Sequence, residues 1–190
     1  MPRNNQTSAI IDTILKIAVT GGVLGSAVIA PGTIKITHKP ALKFLDKLDE
    51  RTKEREVRRV LLYMRRRGYL VGDYEHGLKI TKTGRKRLEQ NSFEKIKITK
   101  PEKWDNKWRL VIFDIPEDRR QSRVYLTHKL KSLGFQHLQQ SVWIHPFPCK
   151  QEVTTVCIKY NVSKYVTYLE TEYIDHDHLL KERFAHIICK

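Results

Sequence analysis

Ten cations crowd one short region of this sequence: Arg55, Arg58, Arg59, Arg65, Arg66, Lys79, Lys82, Arg85, Lys86 and Arg87. Residues 51–88 hold 13 Lys and Arg against 4 Asp and Glu, a net of +9. Side chains of this kind neutralise phosphates. Each phosphate contact releases condensed counterions, so such a surface binds nucleic acid with steep salt dependence. A second set of residues poses a different question. The run WRLVIFDIPEDRR, residues 108–120, puts one carboxylate, Asp114, near the end of what reads as a buried strand. Arg119, Arg120 and Arg123 follow it. A carboxylate in that position can accept the free N–H groups that open the next helix.

The whole chain sets the frame for both sets. Its 190 residues allow one domain or two small ones. A hydrophobic content of 40% is enough to bury a core. The net charge is +15 and the pI about 9.8, which points to nucleic acid or another anionic partner. That charge is uneven: residues 1–100 carry +12 and residues 101–190 only +3. Two units with different electrostatic roles are expected, with a boundary near 100. Cys149, Cys157 and Cys189 form no C-x-x-C pair and no zinc spacing. A reduced, cytoplasmic protein is the simplest reading.

Residues 9–31 are apolar enough to suggest a membrane span. Asp12 and Lys16 argue against one, since each costs roughly 2.5–3.5 kcal/mol near the centre of a span. No membrane association is expected, and two short core helices are. Ser8 can cap the first, whose apolar stripe is Ile10, Ile11, Ile14, Leu15 and Ala18. Gly21-Gly22 ends it. The second covers Val23–Ala30. TIKIT (33–37) is a short strand or connector. A further helix over 40–50 turns Leu42, Leu45 and Leu48 inward.

The segment 54–70 is amphipathic: Val57, Val60, Leu61 and Met64 fall at i, i+3, i+4 and i+7, with Gly68 as terminator. YLVGDYEHGLKIT then reads as a hairpin turning through Gly72, Asp73 and Gly77. Residues 81–89 restart a short basic helix, and 91–107 connect to the second unit. There, WRLVIFDI is a strand, and Pro116 opens a helix with Glu117 and Asp118 in its first turn. That helix turns Val124, Leu126, Leu130 and Leu133 inward. LQQSVWIHP (138–146) is a second strand region, and Lys150–Tyr160 a helix burying Val153, Val156 and Cys157. YVTYLETEYI (165–174) is a strand, and a last helix starts at DHDHLLKERF with Leu179, Leu180 and Ile187 available to dock. The order β-α-β(β)-α-β is ferredoxin-like. Trp104 and Trp108 are expected to pack across the junction of the two units. DHDH reads as a helix start rather than a metal site. His145 reads as a strand-end residue, and Ser141, which lacks triad partners, as a hydrogen-bonder on a strand.

The order of the first half, helices then an arginine-faced helix then a hairpin, resembles a winged helix-turn-helix. In that family the last helix enters the major groove and the wing touches the backbone. In the second half VIFDIPEDRRQSR, LGF and LQQSVWIHPF are similar to the CRISPR-associated protein two family of small ferredoxin-like nucleases. Residues 103–149 more closely resemble the central domain of PaaX-type transcriptional repressors, which carry a winged helix in front of such a domain.

The fold class expected is therefore α+β: a winged helix-turn-helix in 1–100 and a ferredoxin-like β-α-β-β-α-β dimerisation domain in 101–190. The resemblance to PaaX-type repressors implies a homodimeric regulator of double-stranded DNA that needs no cofactor to bind. The nuclease resemblance implies an alternative. Two facing Asp114 carboxylates would hold Mg²⁺ against a phosphodiester, Arg119, Arg120 and Arg123 would hold the phosphate, and the partner would be a CRISPR adaptation complex. Mg²⁺ held by few carboxylates plus phosphate oxygens suits such a site.

Overall fold

The computed structural model describes residues 5–20, 49–73 and 77–188. The chain divides into two compact units, residues 1–94 and 95–190. The helix expected over Val23–Ala30, the TIKIT segment, Leu42, Leu45 and Leu48, and Cys189 lie outside the described residues.

In the first unit, helix α1 (Asn5–Thr20) buries Ile10, Ile11, Ile14, Leu15 and Ala18. It begins at Asn5, so Ser8 lies inside the helix rather than at its cap. Helix α2 (Glu50–Arg66) turns Val57, Val60, Leu61 and Met64 onto the same core, which Leu70 and Leu78 complete. These six side chains are each worth about 1.5–3 kcal/mol when fully buried, so packing rather than helix propensity holds this unit. Residue 50 belongs to α2. Asp49 caps it, accepting the Thr52 N–H at 3.0 Å, and hydrogen bonds from the Thr52 hydroxyl and then its N–H hold the Asp49 carboxyl below the usual carboxylate range.

The far end of α2 is closed by a glycine in the left-handed region. Gly68 has φ +66°, its N–H donates to Arg65 O, and the Tyr69 N–H reaches back to Met64 O at 2.9 Å. This is the paired-bond stop that only glycine adopts without strain. Strands β1 (Leu70–Asp73) and β2 (Gly77–Ile80) follow as an antiparallel hairpin with Val71 opposite Lys79. Gly72, Asp73 and Gly77 lie in these strands and not in the turn between them. Helix α3 runs from Lys82 to Glu94, longer than the basic stretch alone suggested, because Phe93 is buried.

Thr81 joins α2 to α3. Its hydroxyl accepts the Gly84 N–H (3.1 Å) and donates to Gly68 O (2.6 Å), so one side chain caps α3 and ties down the stop of α2. Gly84 must be glycine here: a Cβ would lie 2.3 Å from Tyr69 O and 2.8 Å from Ile80 Cγ1. Gly→Ala inside a helix ordinarily stabilises by about 0.8–1.0 kcal/mol. At Gly84 the sign should reverse, with Gly84→Ala destabilising by about 1–3 kcal/mol through overpacking against backbone. Thermal unfolding checks this, and a raised melting temperature would contradict it.

The second unit is a four-stranded antiparallel sheet in the order β4-β5-β3-β6. Its elements are β3 (Trp108–Phe113), α4 (Arg120–Ser132), β4 (Gln136–Gln139), β5 (Val142–His145), α5 (Lys150–Lys159), β6 (Val166–Thr171) and α6 (Asp177–Ile188). Central strand β3 pairs with β5 (Arg109 opposite His145) and with β6 (Arg109 opposite Glu170). It is buried almost throughout, which is why its sequence runs apolar rather than alternating. The β3-α4-β4 and β5-α5-β6 connections each join parallel strands, and α4 and α5 pack against each other on one face. The other face carries Trp108, Leu110 and Ile144 and is covered by Leu180 and Phe184 of α6.

Several local expectations are corrected. Pro116 precedes a single 3-10 turn, Glu117–Arg119, and the α-helix starts at Arg120. Val124 and Leu179 are exposed, because Leu126 and Leu130, and Leu180 and Phe184, already fill the buried faces of their helices. Gln140 and Ser141 form the turn of the β4-β5 hairpin instead of strand. Trp104 and Trp108 are engaged inside the second unit. Their rings pack at 4.9 Å within the second, where the Trp104 indole donates to Lys107 O and Pro146 O.

Candidate nucleic-acid interface and the Asp114 site

The burial of Val57, Val60, Leu61 and Met64 fixes which face of α2 meets solvent. Helical spacing puts Arg51, Arg55, Arg58, Arg59, Leu62, Arg65 and Arg66 on the opposite side, and all seven are exposed. Leu62 sits in the middle of the arginines, 46% exposed. The arginines fall into two groups. Arg58 is tied to Glu54 at 2.6 Å, and Arg59 to Glu56 by two contacts that hold its guanidinium pKa above the ordinary value. Arg51, Arg55, Arg65 and Arg66 have no ion pair or hydrogen bond from their side chains among the described residues. Four free cations and two tethered ones thus share one helical face.

The hairpin and α3 continue the cationic surface within the same unit. Lys79 is exposed on β2, opposite Val71, which is 58% exposed on β1. Lys82, Arg85 and Lys86 are exposed on the first turns of α3. Arg87 differs: it is half-buried and stacks on the Tyr69 ring at 5.1 Å, so it holds α3 against the hairpin more than it faces solvent.

The second unit does not assemble its expected site. Asp114 is exposed at the end of β3, where its backbone N–H donates to Tyr165 O. Its carboxylate accepts no hydrogen bond among the described residues, so it caps no helix. The turn after it is preceded by Pro116, with no side-chain cap. No ion pair joins Asp114 to the arginines expected beside it. Arg123 instead donates to Glu117 (2.7 Å) and Ile115 O (3.3 Å). Arg119 donates to Asn161 O and lies over the Tyr165 ring. Arg120 is exposed, 3.7 Å from Glu117. Among the described residues no group of three His, Cys, Asp or Glu side chains could hold a metal ion, the DHDH segment included.

Sequence reasoning missed the most heavily engaged charge of this unit. Arg109, 2% exposed on β3, donates to both oxygens of Asp105, to Lys107 O (2.8 Å) and to Pro146 O (2.7 Å). Its hydrogen bonds to Asp105 raise its own pKa and lower that of the carboxyl. An arginine amid WRLVIF was the available signal. Cys149 and Cys157 are buried, which pushes their thiols up to about 12 and about 11. Both are packing groups rather than nucleophiles.

Comparison with known proteins fits this second unit. Residues 101–181 match the family model described as the PaaX protein central Cas2-like domain. The second unit is thus similar to that domain. The match to the PaaX domain spans all four strands β3 to β6 and the start of α6, and leaves the arginine-bearing unit outside it. No curated protein matches the chain. Among solved structures, the uncharacterized protein Rv0674 from Mycobacterium tuberculosis aligns at 18% identity with a TM-score of 0.36, over 89% of this chain and 64% of that one. The chain therefore spans under two-thirds of that protein's length. Among the described residues no helix is long and apolar enough to cross a membrane.

The second unit also carries a buried histidine. His145 is 4% exposed, and burial pushes its pKa down to about 4. The unfolded chain therefore binds a proton that the folded one refuses between about pH 6.5 and pH 4. Stability is complete above pH 6.5 and falls as the pH drops through that window, by about 3 kcal/mol in all. His145→Gln should flatten this part of the stability–pH curve. An unchanged curve would contradict the assignment.

Proposed function

We propose that the chain is a DNA-binding transcriptional regulator. Its first unit acts as a winged helix-turn-helix and its second as a ferredoxin-like dimerisation domain. The observation that carries this reading is the solvent face of α2, where six exposed arginines surround Leu62, with Lys79 on the adjoining hairpin. Arginine suits this role because its planar fork meets phosphate oxygens two at a time. Helix α2 would enter the major groove and β1-β2 would lie on the backbone. Most of these contacts position the protein and carry no sequence information. The match of residues 101–181 to the PaaX central domain supports a regulator, and the strand order β4-β5-β3-β6 supports the ferredoxin-like reading.

Dimerisation through the second unit would set the spacing of two half-sites. Mobility shift with duplex DNA, run beside sedimentation of the free protein, tests the two parts separately. Retarded, intact duplex and a dimeric mass support the reading. A monomer that still binds DNA would remove the dimer and leave the interface. Including Mg²⁺ and EDTA lanes with Asp114→Asn tests the nuclease alternative on the same gels, and no cleavage is expected in any lane.

A further inference from the structure

Within the second unit, β5, α6 and the segment before β3 enclose a cavity of about 220 Å³. That is below the roughly 300–1,000 Å³ of sites for drug-sized ligands, so any occupant is small. Its walls are apolar: Ile98, Leu133, Phe147, Phe184 and Ile187. Three polar side chains join them, Lys100, Gln136 and His186, together with the buried His145.

The imidazole of His145 is aimed into this space. Its Nε2 faces Gly134, where a Cβ would stand 3.6 Å away, and Gly134 also lines the cavity. No partner within the described residues meets Nε2. Nδ1 is engaged at Phe147, 3.1 Å from the backbone N and 3.3 Å from the carbonyl oxygen. These two contacts require opposite tautomers. The amide must donate, and a buried N–H without an acceptor costs about 1–3 kcal/mol, whereas carbonyls are left under-satisfied more readily. Nδ1 is therefore the acceptor, and Nε2 carries the proton that points into the cavity. The charges acting on the ring are Arg109 and Lys100, both cations. Arg109 is compensated by Asp105, so the Lys100 ammonium at the cavity wall, one inward N–H donor and apolar walls describe a receptor for an anion with a hydrocarbon body.

We propose that this cavity binds a small apolar carboxylate, its oxygen accepting the His145 Nε2–H, its charge balanced by Lys100 and its body against Phe147, Phe184 and Ile187. The site is independent of the DNA-binding surface and does not rest on that reading.

The test is an NMR titration of the full chain with cyclohexanecarboxylate, read at the His145 imidazole nitrogens. Cyclohexanecarboxamide, neutral and of the same shape, is titrated in parallel. Free protein should show the Nε2–H tautomer, and the carboxylate should shift that resonance saturably at millimolar concentration. The amide should bind about tenfold more weakly, the scale of one charge-assisted hydrogen bond. Lys100→Ala, an exposed position that leaves the fold alone, should weaken the carboxylate by a similar factor. Ile187→Trp should fill the cavity and abolish the shift. An Nδ1–H tautomer, no saturable shift, or equal affinity for acid and amide would each overturn the proposal.

Discussion

Replacing Arg55, Arg65 and Arg66 together with glutamine should lower affinity for duplex DNA by about two orders of magnitude at near-physiological salt. Each phosphate contact contributes roughly 0.9 to the slope of log K against log salt, so three lost contacts flatten it by about 2.7. The same slope, extrapolated from 1 M to 0.15 M salt, gives the affinity loss. These three side chains are exposed and free of internal partners, and glutamine is a good helix former, so α2 should persist. Arg58→Gln with Arg59→Gln should cost less per residue. Those side chains must first leave Glu54 and Glu56, and exposed pairs of that kind are worth about 0–1 kcal/mol. Fluorescence anisotropy across a salt series checks both variants. Equal losses per arginine in the two variants would contradict the division of the face into free and tethered groups.

The second large effect concerns stability. Asp105→Ala should destabilise the second unit by about 3 kcal/mol, at the lower end for breaking a buried pair. The substitution leaves the Arg109 guanidinium, almost wholly buried, with two carbonyl acceptors and with Glu170 only at 3.7 Å. The lower end applies because Asp105 itself is partly exposed. For a unit of this size 1 kcal/mol moves the melting temperature by about 4–8 °C, so a fall of well over 10 °C is expected. Arg109→Met, which removes the charge instead of orphaning it, should cost much less. The pair also has an acid signature. The Asp105 carboxyl is held low, so its stabilisation is present above the ordinary carboxylate pKa and lost as pH falls through the lowered value. That loss begins where the His145 loss ends.

Where side-chain period decides burial, the sequence was legible. The 3.6-residue stripes of α1 and α2, the Gly68 stop, the hairpin and the strand-helix alternation of the second unit all follow from local pattern. Helix starts were less legible. Asp49 caps α2 although the leucines before it suggested a helix over 40–50, and Pro116 introduces a 3-10 turn instead of an α-helix. Buried polar contacts were invisible for a plain reason: they are tertiary. Nothing in the order of residues says that Arg109 reaches Pro146 O, that Trp104 packs within its own unit, or that Gly84 lies against Tyr69 O. The cationic set was legible as a list. Which members share a face, and which are already paired, needed coordinates. Asp114 shows the opposite case, a residue singled out by sequence whose expected partners are engaged elsewhere.

The central claim is that the first unit binds duplex DNA chiefly through phosphates. Its most direct test is a salt titration of the full chain against a mixed-sequence duplex, followed by anisotropy. Binding that weakens linearly in log salt, with a slope of at least about 5, is the expected result for a face with this many cations. No binding at low salt, or an affinity indifferent to salt, would contradict it.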